Sequence, residues 1–452
     1  MPAIVTDSLK TLLARNFYDQ FANASVRYYI GIGRSEQWDS ADAVPAPRNT
    51  PDQLDAVRNQ MQSVKKVQAT SLVVPRHNWS NGQIYSQFDN RQQGYPVNPY
   101  YVINENNNVY ICLETGRNNY GVAVPSTIEP TGANNDSFRT ADGYVWKFLF
   151  TVSASRANNF MSSNFMPVQK QGATDSSSTG IQLKQEEIQD NAVAGMITSL
   201  ILTDGGVGYT SIPSVTIIGA GGLGSGAVAR AWIDSTLGTV SKISLLDSGA
   251  GLVTHGSGYN RPSVILNGGG ASVDAKARAV LGSDSGIGAD CRVDLKSSSI
   301  MFHTQVQGTD SNFIINQDFR QVSLIKDIRD QLGAVFTGLT GNTLKSMTMG
   351  TVINSFTVDK KIRGTTTLAE AFIDNIDSNI LYYHQTDSTG FTSFQDGEII
   401  EEINGIGDGI CDSALILPNV DPATGDILYI DNRAPILRSN IQSEDIKVII
   451  QF

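Results

Sequence analysis

The sequence predicts a mainly β protein of several domains, with an α+β domain at the N-terminus and an inserted, duplicated β-rich module. Three observations lead there. β-branched and aromatic runs alternate with Asn-, Gly- and Pro-rich turns over most of the chain, helical periodicity is confined mainly to its start, and two stretches near the middle repeat one another. At 452 residues the chain also exceeds the ~250–300 residues at which single cores stop growing, so about two to four domains are expected.

The first element is a helix. Leu9, Leu12, Leu13, Phe17 and Phe21 recur at three- and four-residue spacing between Thr6 and Asn23, which predicts one apolar stripe facing a core. Val26-Arg27-Tyr28-Tyr29-Ile30-Gly31-Ile32-Gly33 follows, β-branched and aromatic and ending in glycine, as a strand does before a turn. Thr50-Pro51-Asp52-Gln53 announces a second helix. Thr50 can cap it, Pro51 suits the first helical position, and Gln53 can close a capping box. Leu54, Val57, Met61 and Val64 are expected to line its buried face. From Tyr100 to Val152 strand-like runs alternate with turns, such as residues 104–108 before Val109-Tyr110-Ile111-Cys112-Leu113, and this chemistry favours antiparallel β structure. Asp445-Ile446-Lys447-Val448-Ile449-Ile450-Gln451-Phe452 keeps strand composition to the last residue. It is therefore expected to be tied into a sheet, with the N-terminal domain as its partner.

The repeat lies in the central region. Gly206-Val207-Gly208-Tyr209 with Pro213-Ser214-Val215 is echoed by Gly256-Ser257-Gly258-Tyr259 with Pro262-Ser263-Val264. Ala227-Val228-Ala229-Arg230-Ala231 is echoed by Ala275-Lys276-Ala277-Arg278-Ala279, and Leu200-Ile201-Leu202-Thr203-Asp204 by Ile243-Ser244-Leu245-Leu246-Asp247. Two copies of a small β-rich unit are expected, with glycines supplying positive-φ corners and prolines opening strands where no ladder N–H is needed.

One copy imitates a nucleotide site. Val215-Thr216-Ile217-Ile218-Gly219-Ala220-Gly221-Gly222-Leu223-Gly224 satisfies strand followed by Gly-x-Gly-x-x-Gly, the pattern that brings a backbone and a helix N-terminus against a pyrophosphate. The second copy reads Asn267-Gly268-Gly269-Gly270-Ala271-Ser272 and loses the spacing while keeping the flanking strands. No train of βα units surrounds either, so a β-turn is the expected role and no cofactor is assigned.

Other chemistry finds no support. His77, His255, His303 and His384 are isolated, with no metal-ligand spacing among them. Cys112, Cys291 and Cys411 are odd in number and far apart, which fits neither a disulfide framework nor a Cys-x-x-Cys site and suggests assembly in a reducing compartment. For a glycan hydrolase, Glu186-Glu187, Glu401-Glu402 or Asp374 with Asp377 could be nominated. Adjacent residues of a strand face opposite ways, and nothing near Asp374 and Asp377 supplies environments that would part their pKa values. There is no Gly-x-Ser-x-Gly elbow and no P-loop. The expectation is no catalytic, metal or cofactor residue.

The balance of 44 acidic against 33 basic residues, a formal net charge of −11, comes without a dense Lys/Arg run. Nucleic-acid binding is disfavoured. Asp7, Lys10 and Arg15 interrupt the apolar positions of the N-terminus and no window approaches ~20 uninterrupted apolar residues, so neither a signal peptide nor membrane insertion is expected.

Ordered along the chain stand five signatures: Gly31-Ile32-Gly33-Arg34-Ser35-Glu36-Gln37-Trp38, Val74-Pro75-Arg76-His77-Asn78-Trp79, Asp142-Gly143-Tyr144-Val145-Trp146-Lys147-Phe148-Leu149-Phe150, Asp318-Phe319-Arg320-Gln321-Val322-Ser323-Leu324-Ile325, and Leu428-Tyr429-Ile430-Asp431-Asn432-Arg433-Ala434-Pro435-Ile436. In this order and at these intervals the chain resembles the baseplate wedge protein of T-even-like contractile-tailed bacteriophages, the gene 8 product family. The resemblance covers roughly residues 26–170 and 313–330 and the last ~30 residues. Residues 190–290 and much of 331–420 do not follow the family pattern.

The resemblance implies a multi-domain antiparallel β-sandwich architecture with an α+β domain formed by both chain ends. The expected division is 1–95 with 427–452 for that domain, 96–190 for an antiparallel β domain, 191–286 for the inserted module and 287–426 for a second β domain. It further implies a non-catalytic structural subunit of the virion, assembled in the host cytoplasm, forming a homodimer and contacting other wedge proteins, with tail fibres as a further candidate partner. The alternative is a receptor- or glycan-binding tail module using the aromatics and Gly-rich loops of residues 196–282. Trp146, between Val145 and Phe148, is expected in a core. Arg34, Trp38, Arg76, His77, Trp79 and Arg433 are the candidate interface residues, because interfaces are enriched in Trp, Tyr and Arg.

Overall fold

Antiparallel ladders build the computed structural model, which describes residues 4–21, 23, 25–38, 43–248, 252–310 and 312–452. The fold is mainly β, with several sheets and few helices, as the sequence predicts. The chain divides into two compact units. One comprises Met1–Asn16, Ser71–Ile300 and Gln451–Phe452, the other Phe17–Thr70 and Met301–Ile450.

In the first unit, Tyr101–Ile103, Asn108–Glu114, Val145–Thr151 and Phe138–Arg139 form a four-stranded sheet in that order. The turn before Asn108 works through amide side chains: Asn104 Oδ1 accepts from the N–H groups of Asn106 and Asn108, each at 3.0 Å. Asn107 takes φ 58°, a conformation asparagine tolerates better than most residues. Trp146 is fully buried at the centre of an aromatic cluster with Tyr85, Tyr110, Tyr144 and Phe148. It stacks on Tyr144 at 5.7 Å and meets Tyr85 edge-on at 5.5 Å, the offset and T-shaped geometries that aromatic quadrupoles favour. The expected core role of Trp146 holds. The helix Gly180–Asp190 was not anticipated, although Thr179 and Gln182 form a complete capping box at its start. Glu186 and Glu187 lie on this helix, not in a strand.

The duplicated module occupies the end of the same unit, and its two copies exchange strands. Ile197–Asp204 of the first copy pairs with Lys276–Leu281 of the second, Leu200 opposite Ala279. The corresponding strand of the second copy, Thr239–Leu245, pairs with Ala229–Asp234 of the first, Ile243 opposite Ala231. Between them Ser214–Ile218 pairs with Ser263–Asn267 about a midpoint at Thr216 and Ile265, each strand opened by a proline as expected. The two repeated tyrosines are buried and reach across: Tyr209 OH accepts from Ala275 N at 2.8 Å, and Tyr259 OH from Ala227 N at 3.2 Å. Gly206 and Gly256 have φ values of 63° and 62°. A Cβ would come within 3.0 Å of Val273 and Ala275 backbone atoms at the first, and of Ser225 and Ala227 backbone atoms at the second. Each repeated glycine thus lets its own copy turn against the segment that leads into the last strand of the other.

In the second unit a five-stranded sheet runs in the order Thr340–Asn342, Met61–Lys66, Tyr28–Gly33, Asp318–Lys326, Asp426–Leu437. A closed six-stranded barrel follows, formed by Lys345–Asn354, Ile380–His384, Glu370–Asp377, Lys361–Gly364, Ile399–Glu402 and Asp408–Ile416. Its interior holds Met347, Met349, Ile362, Ala371, Ile373, Leu381, Ile400 and Cys411.

Three expectations are corrected. The first helix, Asp7–Phe21, buries Thr11 and Ala14, while Leu9, Leu12 and Leu13 stay between 43% and 49% exposed. Phe17 and Phe21 pack around Tyr28 with Phe302, and these large rings set the helix rotation, placing small residues one and two turns earlier on the buried line. The second helix ends at Asn59, and Met61 and Val64 belong to a strand, because Met61–Lys66 finds a ladder partner in Tyr29–Gly33. Pro51 sits in its first turn, but Thr50 makes no side-chain cap. The last strand, Ser443–Gln451, is in a sheet, but its hydrogen-bonded neighbour is Ser299–Gln307 and not a strand of the first 95 residues.

The pseudo-symmetry gives a test. Gly206→Ala and Gly256→Ala should each lower stability by about 1–3 kcal/mol, since both force a side chain into the left-handed region against backbone. Denaturant unfolding followed by fluorescence checks this. Near-neutral behaviour of either variant would contradict the exchanged arrangement.

Candidate functional site

The signature segments converge on buried joints. In the second unit the strands of the first, fourth and fifth signatures are sheet neighbours: Ile30 faces Leu324, and Leu324 faces Tyr429. Gly33 is required where this sheet meets the turn after the second helix, because a Cβ there would lie within 3.0 Å of Gln60 and Met61 backbone atoms. The chain then turns sharply through Arg34 at φ 61°.

Beyond that turn the larger polar side chains of the signature are engaged within the chain. Arg34 lies over the Trp38 ring at 4.1 Å and donates to Gln60 Oε1 at 2.9 Å, while Gln60 donates to Glu36 Oε2 at 2.7 Å. Trp38 Nε1 donates to the Arg433 carbonyl at 2.9 Å. That carbonyl lies where the ladder between Asp318–Lys326 and Asp426–Leu437 shifts register, so the indole serves a backbone acceptor left without a regular partner. Arg433 itself is exposed, with its guanidinium 2.6 Å from Asp431.

Ser35 points the other way, into a buried network. Its hydroxyl donates to Asp374 Oδ1 at 2.9 Å, and its carbonyl accepts from Arg320, which is held bidentate by Asp318 at 2.6 and 2.8 Å. Asp374 Oδ2 lies 2.6 Å from His384 Nδ1, with the two residues 1% and 3% exposed. Burial alone would depress the imidazole, but the charge and hydrogen bond of Asp374 outweigh it, and the His384 pKa is raised above its ordinary value. His384 Nε2 is buried and has no hydrogen-bond partner among the described residues. Ser35 and His384 contact Asp374 from opposite oxygens, so no nucleophile–base hydrogen bond is formed. Asp377 is exposed, whereas Asp374 is buried with both oxygens engaged by Ser35 and His384.

The remaining candidates lie in the first unit. Arg76 donates to Asn78 Oδ1 at 2.9 Å and to the Ser162 carbonyl at 3.1 Å. His77 packs edge-on against Tyr101 at 5.2 Å, and burial pushes its pKa down. The His77 carbonyl accepts from Ile103 N and Trp79 N donates to the Ile103 carbonyl, which stitches the segment to the sheet. Trp79 packs on the core around Trp146 and donates from Nε1 to Ser126 Oγ at 3.2 Å. The third signature anchors the same loop. Asp142 accepts from Ser126 Oγ, Thr127 N and Ile128 N, and despite burial these bonds and one from Thr140 hold its carboxyl below the usual carboxylate range.

The six candidates therefore form two groups, Arg34 with Trp38 and Arg433, and Arg76 with His77 and Trp79. Both indole N–H groups are used within the chain. The network around Asp374 was not anticipated; Ser35 lies hundreds of residues from the carboxylate and the imidazole, and a lone Asp and His ten residues apart carry no recognised spacing signal. The Gly219–Gly224 motif joins Ser214–Ile218 to Ser225–Ala227 through a short 3₁₀ turn, Ala220–Gly222, and no α-helix begins there. Glu401 is exposed and Glu402 buried, on opposite faces of their strand. Among the described residues no three His, Cys, Asp or Glu side chains gather as a metal site. No protein-family model matches the chain, and no curated protein matches it.

Two outcomes test the network. Asp374→Ala leaves an uncompensated buried imidazole and should cost about 3–5 kcal/mol in unfolding free energy. Because His384 binds its proton more tightly in the folded chain, its contribution is complete below about pH 6.5 and is lost as pH rises through the folded value. The stability difference between wild type and His384→Gln should therefore shrink as pH rises above about 6.5. A pH-independent difference would contradict the ion pair.

Proposed function

We propose that the chain is a structural, non-catalytic subunit of the baseplate wedge of a contractile phage tail, a virion protein assembled in the host cytoplasm. The supporting observation is that all five ordered signatures serve framework positions. Three meet in one sheet of the second unit, and two lie at and beside the Trp146 core of the first. A sequence pattern maintained for catalysis would instead place titratable groups around an open cleft.

Surface features favour a subunit with neighbours. Leu9, Leu12 and Leu13 expose an apolar helix face beside Ile4 and Val5, and Asp426–Leu437 ends its sheet with Leu428, Arg433 and Leu437 exposed. These surfaces suit association with another copy and with other wedge proteins. Taking part in baseplate rearrangement then requires interfaces with two discrete packings a few kcal/mol apart, not a reaction centre.

Immunogold labelling of intact and contracted particles checks the reading. Label at the tail tip in both states, with changed accessibility after contraction, is the expected result. Protein in the lysate with unlabelled particles would overturn it. A double substitution, Leu9→Asp with Leu13→Asp, should alter stability by no more than about 0.5 kcal/mol per site and yet prevent incorporation into tails.

A further inference from the structure

The second unit contains a cavity of about 630 Å³ that borders the network at Asp374 and that the proposed assembly role does not use. Its volume falls within the ~300–1,000 Å³ of small-molecule sites. The lining is unusual in kind. Asn312, Asn316, Asn342, Asn375 and Asn419 border it together with Tyr382, and no Lys, Arg or His does.

Part of this lining is fixed and part is free. Asn312 donates to Thr340 Oγ1 at 2.9 Å, and Asn342 accepts from Leu344 N at 3.0 Å. By contrast, the side-chain amides of Asn316, Asn375 and Asn419 and the hydroxyl of Tyr382 make no hydrogen bond to another described residue. A bulge sets the last pair. The ladder between Glu370–Asp377 and Ile380–His384 shifts register between Ile373 and Asn375, which turns Asp374 inward to His384 and leaves Asn375 directly opposite Tyr382. Bulges often re-aim side chains in this way beside binding sites.

Chemistry narrows the occupant. An anion would find no countercharge on the walls. A divalent cation would find two carboxylates on the wall, Asp374 already committed to His384 and Asp377 exposed at the rim, and no cluster of three ligands among the described residues. Amides both donate and accept, as does a phenol, and so do the hydroxyl pairs of a sugar, whose C–H face can lie on an aromatic ring. We infer that this cavity binds a neutral saccharide unit, held by Asn375, Asn419 and Asn316 with Tyr382 beneath it. The site is distinct from the Gly-rich loops of residues 196–282 and stands independently of the wedge assignment.

Saturation-transfer NMR on the full chain tests it, with a panel of neutral sugars (glucose, galactose, rhamnose and N-acetylglucosamine, each also as its methyl glycoside) and with glucuronate and calcium chloride as charged controls. At least one neutral sugar should receive saturation, and Asn375→Ala and Tyr382→Ala should each weaken its binding about tenfold. Asn419→Ala, in a loop, provides the same readout if a strand variant misfolds. A methyl glycoside that binds as well as the free sugar identifies a residue of a glycan chain, and one that fails identifies a free sugar. No response from any neutral sugar, binding unchanged in all three variants, or a stronger response to glucuronate or competition by calcium would overturn the proposal.

Discussion

The carboxylate of Asp374 is the constraint on which the second unit depends. It is buried on a barrel strand, yet one oxygen is held by Ser35, just beyond the central strand of the five-stranded sheet, and the other by His384 of the barrel. A buried pair of this kind gains little net stability over apolar packing, but removing either partner strands a charge in low dielectric. Sheet and barrel must therefore keep the register that brings Ser35, Asp374 and His384 together. Arg320 extends the same requirement to the neighbouring strand by holding the Ser35 carbonyl while its own charge is neutralised by Asp318.

The first unit solves a similar problem with neutral groups. Tyr209 and Tyr259 each cross to the partner copy of the duplicated module, where the hydroxyl satisfies a backbone amide. Neither copy can close its own core, because the strand that completes it belongs to the other. Arg139 then ties the module to the sheet around Trp146, donating to Asp247 at 3.0 Å, to the Leu245 carbonyl at 2.9 Å and to Glu114 at 3.4 Å. Opposing carboxylates on both sides offset its burial and keep its pKa raised.

Legibility in the sequence followed the range of the interaction. The turn at residues 104–108, the strand Tyr28–Gly33, the matching glycines and prolines of the repeat and the burial of Trp146 rest on local chemistry, and all were readable. The rotation of the first helix was not, since Phe17 and Phe21 override the leucines only through contacts with Tyr28 and Phe302. The end of the second helix failed likewise, because Met61 and Val64 fit a helical stripe and a strand equally and only the ladder with Tyr29–Gly33 decides. Of the candidate interface residues, Trp38 and Trp79 turned out to have internal hydrogen bonds. The repeat was visible as a pattern of pairs, but nothing in it reveals that the copies exchange strands.

A chain whose ordered signatures maintain joints between sheets, and whose leucines and terminal sheet strand remain exposed, fits a part that must keep its shape while its neighbours move. Absolute quantification of the chain by mass spectrometry in purified, washed tails tests that central claim most directly. The account predicts retention in every preparation at a copy number fitting sixfold symmetry, unchanged by high-salt washing. Substoichiometric amounts that wash away would contradict it.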